Sequence, residues 1–369
     1  MGKIVWPGVA MIAVTYALAR FSFGLYLPDI SASLQLKEST AGIAASAAFA
    51  SYSLALLTAP FLTRMVGAFR LVQAAGLTVI VGMSGIALAQ GLSLLVLSTF
   101  VAGLGSGWAS PALSQIATNS LKEAEKDRAN IWINSGSGFG LLVTGPVALL
   151  FTEYWRLAYL LFVMIALAVF LWNSLSLPVR QEKAGNWEWK VSWRSISKAK
   201  GLLSASLVIG LSSAVFWAFS RSYLTVVHQM TTRESITFWM VMGAAGIIGG
   251  LAGNIIRKFG LDVIYRVVLV LMLLAIGLIT IPAVWSVYAS ALLFGSAYIA
   301  LTGALIVWAT RLFPAVPSIG VSLSFLALGL GQSLGSLAGG ALIASTSYPF
   351  VFLMFAAIGT AGLFIAIKR

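Results

Sequence analysis

The sequence predicts an all-α membrane protein with twelve transmembrane helices in two pseudo-symmetric six-helix halves. Three observations carry that fold class. Of 369 residues, 60% are hydrophobic and only 9% are charged, and the mean hydropathy is +0.97. A water-soluble fold has nowhere to place so much apolar surface, whereas lipid solvates it. The apolar residues also fall into twelve runs of roughly 18–26 residues, enough to cross a hydrocarbon core of about 30 Å as helices. Finally, features of the first six runs recur in the last six.

In chain order the runs are 5–27, 39–62, 71–89, 92–118, 131–151 and 157–177, then 202–227, 236–256, 263–281, 287–310, 318–344 and 350–367. The first is too long for the apolar core of a secretory signal and has no small-residue cleavage site, so it is expected to remain as a span. It closes at Pro28, a residue that disfavours helix before it. The second leads into "PFLTRMVG" and the eighth into "GNIIRKFG", each with an arginine three residues before a glycine. The fourth contains "GLGSG" at 103–107, a run of small residues inside a span. No strand precedes it and no phosphate-loop lysine follows, so it is not a nucleotide site. The fifth ("SGSGFGLLVTGP") and eleventh ("LGLGQSLGSLAGG") are glycine-rich, which suits close helix packing, and Pro146 can bend the fifth.

Basic residues set the orientation. With the N-terminus in the cytoplasm, eighteen of the 23 Lys and Arg lie in inside segments, and only Lys37, Arg156 and Arg233 lie outside. That bias favours cytoplasmic termini and an address in the bacterial inner membrane. It also explains the net charge of +13 without nucleic acid as a partner. The stretch "LPVRQEKAGNWEWKVSWRSISKAK" divides the chain into residues 1–177, a cytoplasmic linker at 178–201, and residues 202–369. Its alternating tryptophans and lysines suit either an amphipathic segment on the membrane face or a solvated linker. There is no cysteine and a single histidine, His228, so thiolate and multi-histidine metal centres and cysteine nucleophiles are excluded. Nothing in the chain points to an enzyme or a cofactor.

Two six-span halves joined by a basic loop, each with an arginine–glycine turn after its second span, resemble the major facilitator superfamily. The loop motif of that family reads roughly G-x-L-a-D-R-x-G. Leu62 and Gly67 match it, with Pro60 in place of the first glycine and Arg64 in place of the aspartate. Gly253, Lys258 and Gly260 match the second copy, and Arg257 again replaces the aspartate. The family's fourth-span arginine is absent; Thr99 stands nearest. "ARFSFGLYLPDI" resembles the YbfB-like bacterial members. The resemblance implies a monomeric secondary transporter of small molecules, with spans one and seven lining a central cavity and Arg64, Gly67, Arg257 and Gly260 in conformational loops.

All ten acidic residues fall outside the expected spans or at their ends, while Arg20 and Arg221 lie within spans one and seven. An intramembrane cation costs roughly 2.5 kcal/mol or more and is a functional candidate. Counted back from Pro28 and His228, the two arginines are expected at similar depth. Two facing cations imply an anion between them, since a guanidinium fork grips a carboxylate, sulfonate or phosphate with paired hydrogen bonds. The placement resembles the organophosphate–phosphate exchangers of the superfamily. The bland alternative is a structural arginine that snorkels to Asp29, a lipid headgroup or a carbonyl. Tyr16 and Trp217 each precede an arginine by four residues and share its face. Tyr298 and Gln332 are further polar candidates, although such groups also tie helices together. His228 is the candidate coupling residue, set against a plain loop histidine. The expected substrate is a small organic anion. The alternatives are an exporter of hydrophobic or amphipathic compounds, and a membrane receptor with a transporter fold.

Overall fold

The computed structural model describes residues 2–151, 154–178, 199–249, 256, 258–313 and 317–367. The described residues are helical almost throughout. The helices are α1 (Gly2–Leu34), α2 (Glu38–Val66), α3 (Ala68–Leu88), α4 (Leu92–Ser120), α5 (Glu123–Leu150) and α6 (Trp155–Ser176). They continue with α7 (Lys200–Val226), α8 (Thr232–Gly249), α9 (Leu261–Leu278), α10 (Val284–Leu312), α11 (Pro317–Ser345) and α12 (Tyr348–Phe364). Ten stretches among the described residues are long and apolar enough to cross a membrane. With α8 and α12 they make the expected twelve-helix, two-half fold. The expected 178–201 linker falls almost wholly outside the described residues, as do Arg257 and the far end of the eighth span.

The internal repeat is written in the backbone. Gly67 and Gly260, each opening the helix that follows, adopt φ 85° and 86°. An L side chain is strained there, so glycine is required at both. Gln35 and Gln229, after α1 and α7, share φ 53°. Helix partners repeat as well. α1 packs on α5 as α7 packs on α11; α3 meets α4 and α6 as α9 meets α10 and α12. The glycines of α5 and α11 serve this packing. A Cβ on Gly140 would lie 2.5 Å from Cβ of Ala17, and one on Gly331 would lie 2.2 Å from the carbonyl oxygen of Leu207. Outward-facing leucines, such as Leu150 and Leu175, are exposed and form the surface that lipid covers.

The described residues form two compact units. The first comprises Met1–Tyr26 and Ala47–Trp189, the second Leu27–Ser46 and Lys190–Arg369. Residues 27–46 fall in the second unit.

One sequence expectation is corrected here. The first span does not end at Leu27: α1 continues through Pro28 to Leu34. A proline removes one helix hydrogen bond and clashes near the residue four before it. That residue is Gly24, and the helix continues despite the lost bond. The helix stops instead where Gln35 turns left-handed and the N–H of Leu36 returns to the carbonyl of Ser31. α7 stops short of His228. It ends at Val226, and Gln229 closes the turn.

Candidate substrate site

In the first unit the site is built around Arg20. Residues Ala13–Phe21 of α1 form a π-helix, and Arg20 lies in its last turn. The wider turn is closed by the N–H of Ser22 bonding the carbonyl of Ala17, five residues back. Such turns expose backbone and rotate side chains off the regular helical face, and they recur at functional positions. Arg20 is 95% buried, being 5% exposed. Its guanidinium carbon lies 4.1 Å from the ring centre of Tyr52, 4.6 Å from Phe21, 4.7 Å from Tyr16 and 5.6 Å from Phe49. Tyr16 and Tyr52 meet edge to face at 6.0 Å. Cation–π contacts of this kind contribute about 0.5–2 kcal/mol each. Nε and Nη1 are buried without a hydrogen-bond partner, and among the described residues no carboxylate pairs with Arg20.

In the second unit Arg221 is 1% exposed and fully engaged. Its Nη1 donates to Oδ2 of Asp29 in an ion pair, and Nε donates to Oγ of Ser235 at 3.2 Å. The sequence reading placed every acidic residue outside the spans or at their ends. Asp29 lies within α1, just past Pro28, at 22% exposure. Measured from the matched exits, Arg20 lies fifteen residues before Gln35 and Arg221 eight before Gln229. Seven residues of helix span about 10 Å. Arg221 is thus nearer its helix exit than Arg20, and it already holds a carboxylate.

Trp217, Tyr298 and Gln332 come together in the second unit. The ring of Trp217 stands edge-on to Tyr298 at 5.2 Å, to Phe294 at 5.5 Å and to Trp239 at 6.0 Å. Nε2 of Gln332 donates to the Tyr298 hydroxyl at 2.9 Å, and its Oε1 is buried without a donor. This group presents ring surface and one unfilled acceptor. His228 sits in the loop after α7. Its Nε2 lies 2.7 Å from the carbonyl oxygen of Ile279, so that nitrogen carries the proton and donates, anchoring the loop to the end of α9. Arg64 is exposed at the end of α2, with Gly67 just beyond it.

Sequence reasoning named Asp29 as a possible structural partner of an arginine without assigning it to Arg221, and missed Phe49 and Tyr52 as cage residues. Tyr52 belongs to a different helix from Arg20, and no spacing rule links the two. The π-turn has no sequence signature.

A helix bundle made of two like six-helix units, with buried charge inside its spans, is the architecture of a secondary transporter working by alternating access. Residues 9–318 match the Major Facilitator Superfamily, and the chain belongs to that family. It is 29% identical to the "Transcription regulatory protein OpdE" of Pseudomonas aeruginosa, across 98% of this chain and 93% of that protein. Among solved structures, the nucleoside transporter NupG aligns with a TM-score of 0.77 at 14% identity, covering 99% of this chain and 98% of that one. The D-xylose-proton symporter gives 0.77 at 14% identity, covering 98% and 96%. A bacterial homolog of the human lysosomal transporter Spinster gives 0.72 at 15% identity, covering 96% and 90%. These similarities establish the fold and leave the substrate to the residues of this chain.

Proposed function

We propose that this transporter carries a small organic anion and that Arg20 is the group that binds it. The observation that carries the reading is the charge of Arg20, 95% buried with two idle N–H donors and no carboxylate partner among the described residues. A buried cation without a counter-charge is costly, and an incoming anion relieves that cost while filling the donors. The two-arginine clamp is left as an expectation from sequence, because Arg221 would have to give up Asp29 to take part. A potential is worth about 2.3 kcal/mol per charge per 100 mV, so an inside-negative cell opposes uptake of a bare anion. Export or anion exchange follows as the direction of travel.

Purified protein in liposomes tests this. Labelled organic anions should move down an imposed potential or against trans substrate, and Arg20→Gln should abolish the movement. Normal transport by Arg20→Gln would sink the reading. Reporter fusions within residues 185–190 and at the C-terminus test the proposed topology; both should report a cytoplasmic location.

A second reading is favoured by the OpdE relative, whose name describes regulation of transcription. On that reading the chain is a ligand receptor with a transporter fold. Binding without movement in the same liposomes would support it over transport.

A further inference from the structure

We infer that the Arg20 site selects a monovalent organic acid, a carboxylate or sulfonate, and discriminates against dianionic phosphate esters. The inference rests on the anion reading and narrows it by counting charge. Arg20 contributes one positive charge, and no carboxylate among the described residues neutralises it. The other described cations of the first unit lie toward helix ends or loops: Lys3, Arg64, Arg70, Lys122, Lys126 and Arg156. In the second unit Arg221 brings Asp29 with it, so that pair adds no net charge.

One uncompensated charge has one matching ligand charge. A neutral acceptor would fill the N–H donors but leave the buried cation unmatched. A dianion would leave one negative charge over, and the surroundings are poorly suited to hold it. The cage consists of Tyr16, Phe21, Phe49 and Tyr52, whose centroids lie 4.1–5.6 Å from the guanidinium carbon. Aromatic faces carry the negative part of the ring quadrupole, which attracts the guanidinium and repels surplus negative charge. A monoanion beside Arg20, accepting from one of its idle N–H groups, leaves neither kind of charge unmatched.

The test uses the full-length protein in nanodiscs and two probes with the same body, benzenesulfonate and phenyl phosphate. Benzenesulfonate stays a monoanion throughout, whereas the second phosphate proton leaves near pH 6. At pH 8 benzenesulfonate should bind about tenfold or more tightly than phenyl phosphate, a gap of about 1.4 kcal/mol. At pH 5, where phenyl phosphate is a monoanion, the gap should shrink toward nothing. Arg20→Met should remove binding of both. Phenyl phosphate binding as well as benzenesulfonate at pH 8, still dependent on Arg20, would overturn the monovalent rule and leave the anion reading standing. Binding of neither probe, or binding that survives Arg20→Met, would overturn both.

Discussion

Asp29 on α1 and Arg221 on α7 form an ion pair inside the second unit, with the arginine 1% and the aspartate 22% exposed. The aspartate shares a helix with Arg20, yet it neutralises the other intramembrane arginine. Removing one partner of a buried pair leaves the other charge stranded, which destabilises more than removing both. Asp29→Asn should therefore lower the thermal unfolding midpoint. Adding Arg221→Gln should restore part of the loss, with a coupling of about 1–3 kcal/mol. A double variant that melts below Asp29→Asn would show that the pair is not coupled in this way.

The cost of the unpaired charge at Arg20 gives a prediction of opposite sign. Replacing a poorly compensated buried ion with an apolar side chain of similar length is often stabilising, by about 1–4 kcal/mol. Arg20→Met should raise the melting temperature while abolishing anion-dependent stabilisation. Such a trade of stability against function is expected where a site holds strain or unmatched charge. A drop in melting temperature would mean that the cation–π cage outweighs the desolvation cost.

A third prediction concerns the seam that holds residues 27–46 on the C-terminal helices. A Cβ on Gly340 of α11 would lie 2.4 Å from the carbonyl oxygen of Glu38 and 2.8 Å from Cα of Gly42, so the two backbones touch. One turn further along, the hydroxyls of Ser46 and Ser333 are 2.9 Å apart. The native chain has no cysteine, so a Ser46→Cys/Ser333→Cys pair reports without background. Both serines lie in the second unit. Oxidation should cross-link the pair, and a reductant should reverse the link. Failure to cross-link would show that the two helices do not meet at these residues.

His228 provides the fourth. Its Nε2 is committed to the carbonyl of Ile279, outside the end of α7. His228→Ala should cost about 1 kcal/mol of stability, the usual net worth of one hydrogen bond. Any dependence of transport on a pH gradient should be unchanged. Loss of that dependence with stability intact would restore His228 as a coupling residue.

The sequence by itself determined the class of the protein. Apolar runs of helix length can be stable only in lipid, and two sets of six with matched turns identify the duplicated architecture. Gly67 and Gly260 were legible because a recurring arginine–glycine spacing marks a turn, and both prove to need a left-handed backbone. Arg20 and Arg221 stood out because a charge in an apolar run is costly wherever the helix lies. The meaning of each charge was decided only by tertiary structure. Whether a proline ends a helix depends on what packs around it, and the continuation of α1 past Pro28 carried Asp29 to Arg221. The cage around Arg20 comes from Tyr52 and Phe49 on α2, brought beside the π-turn of α1 by helix packing. Periodicity along one helix records which residues share a face, but it holds no record of which neighbour that face will meet.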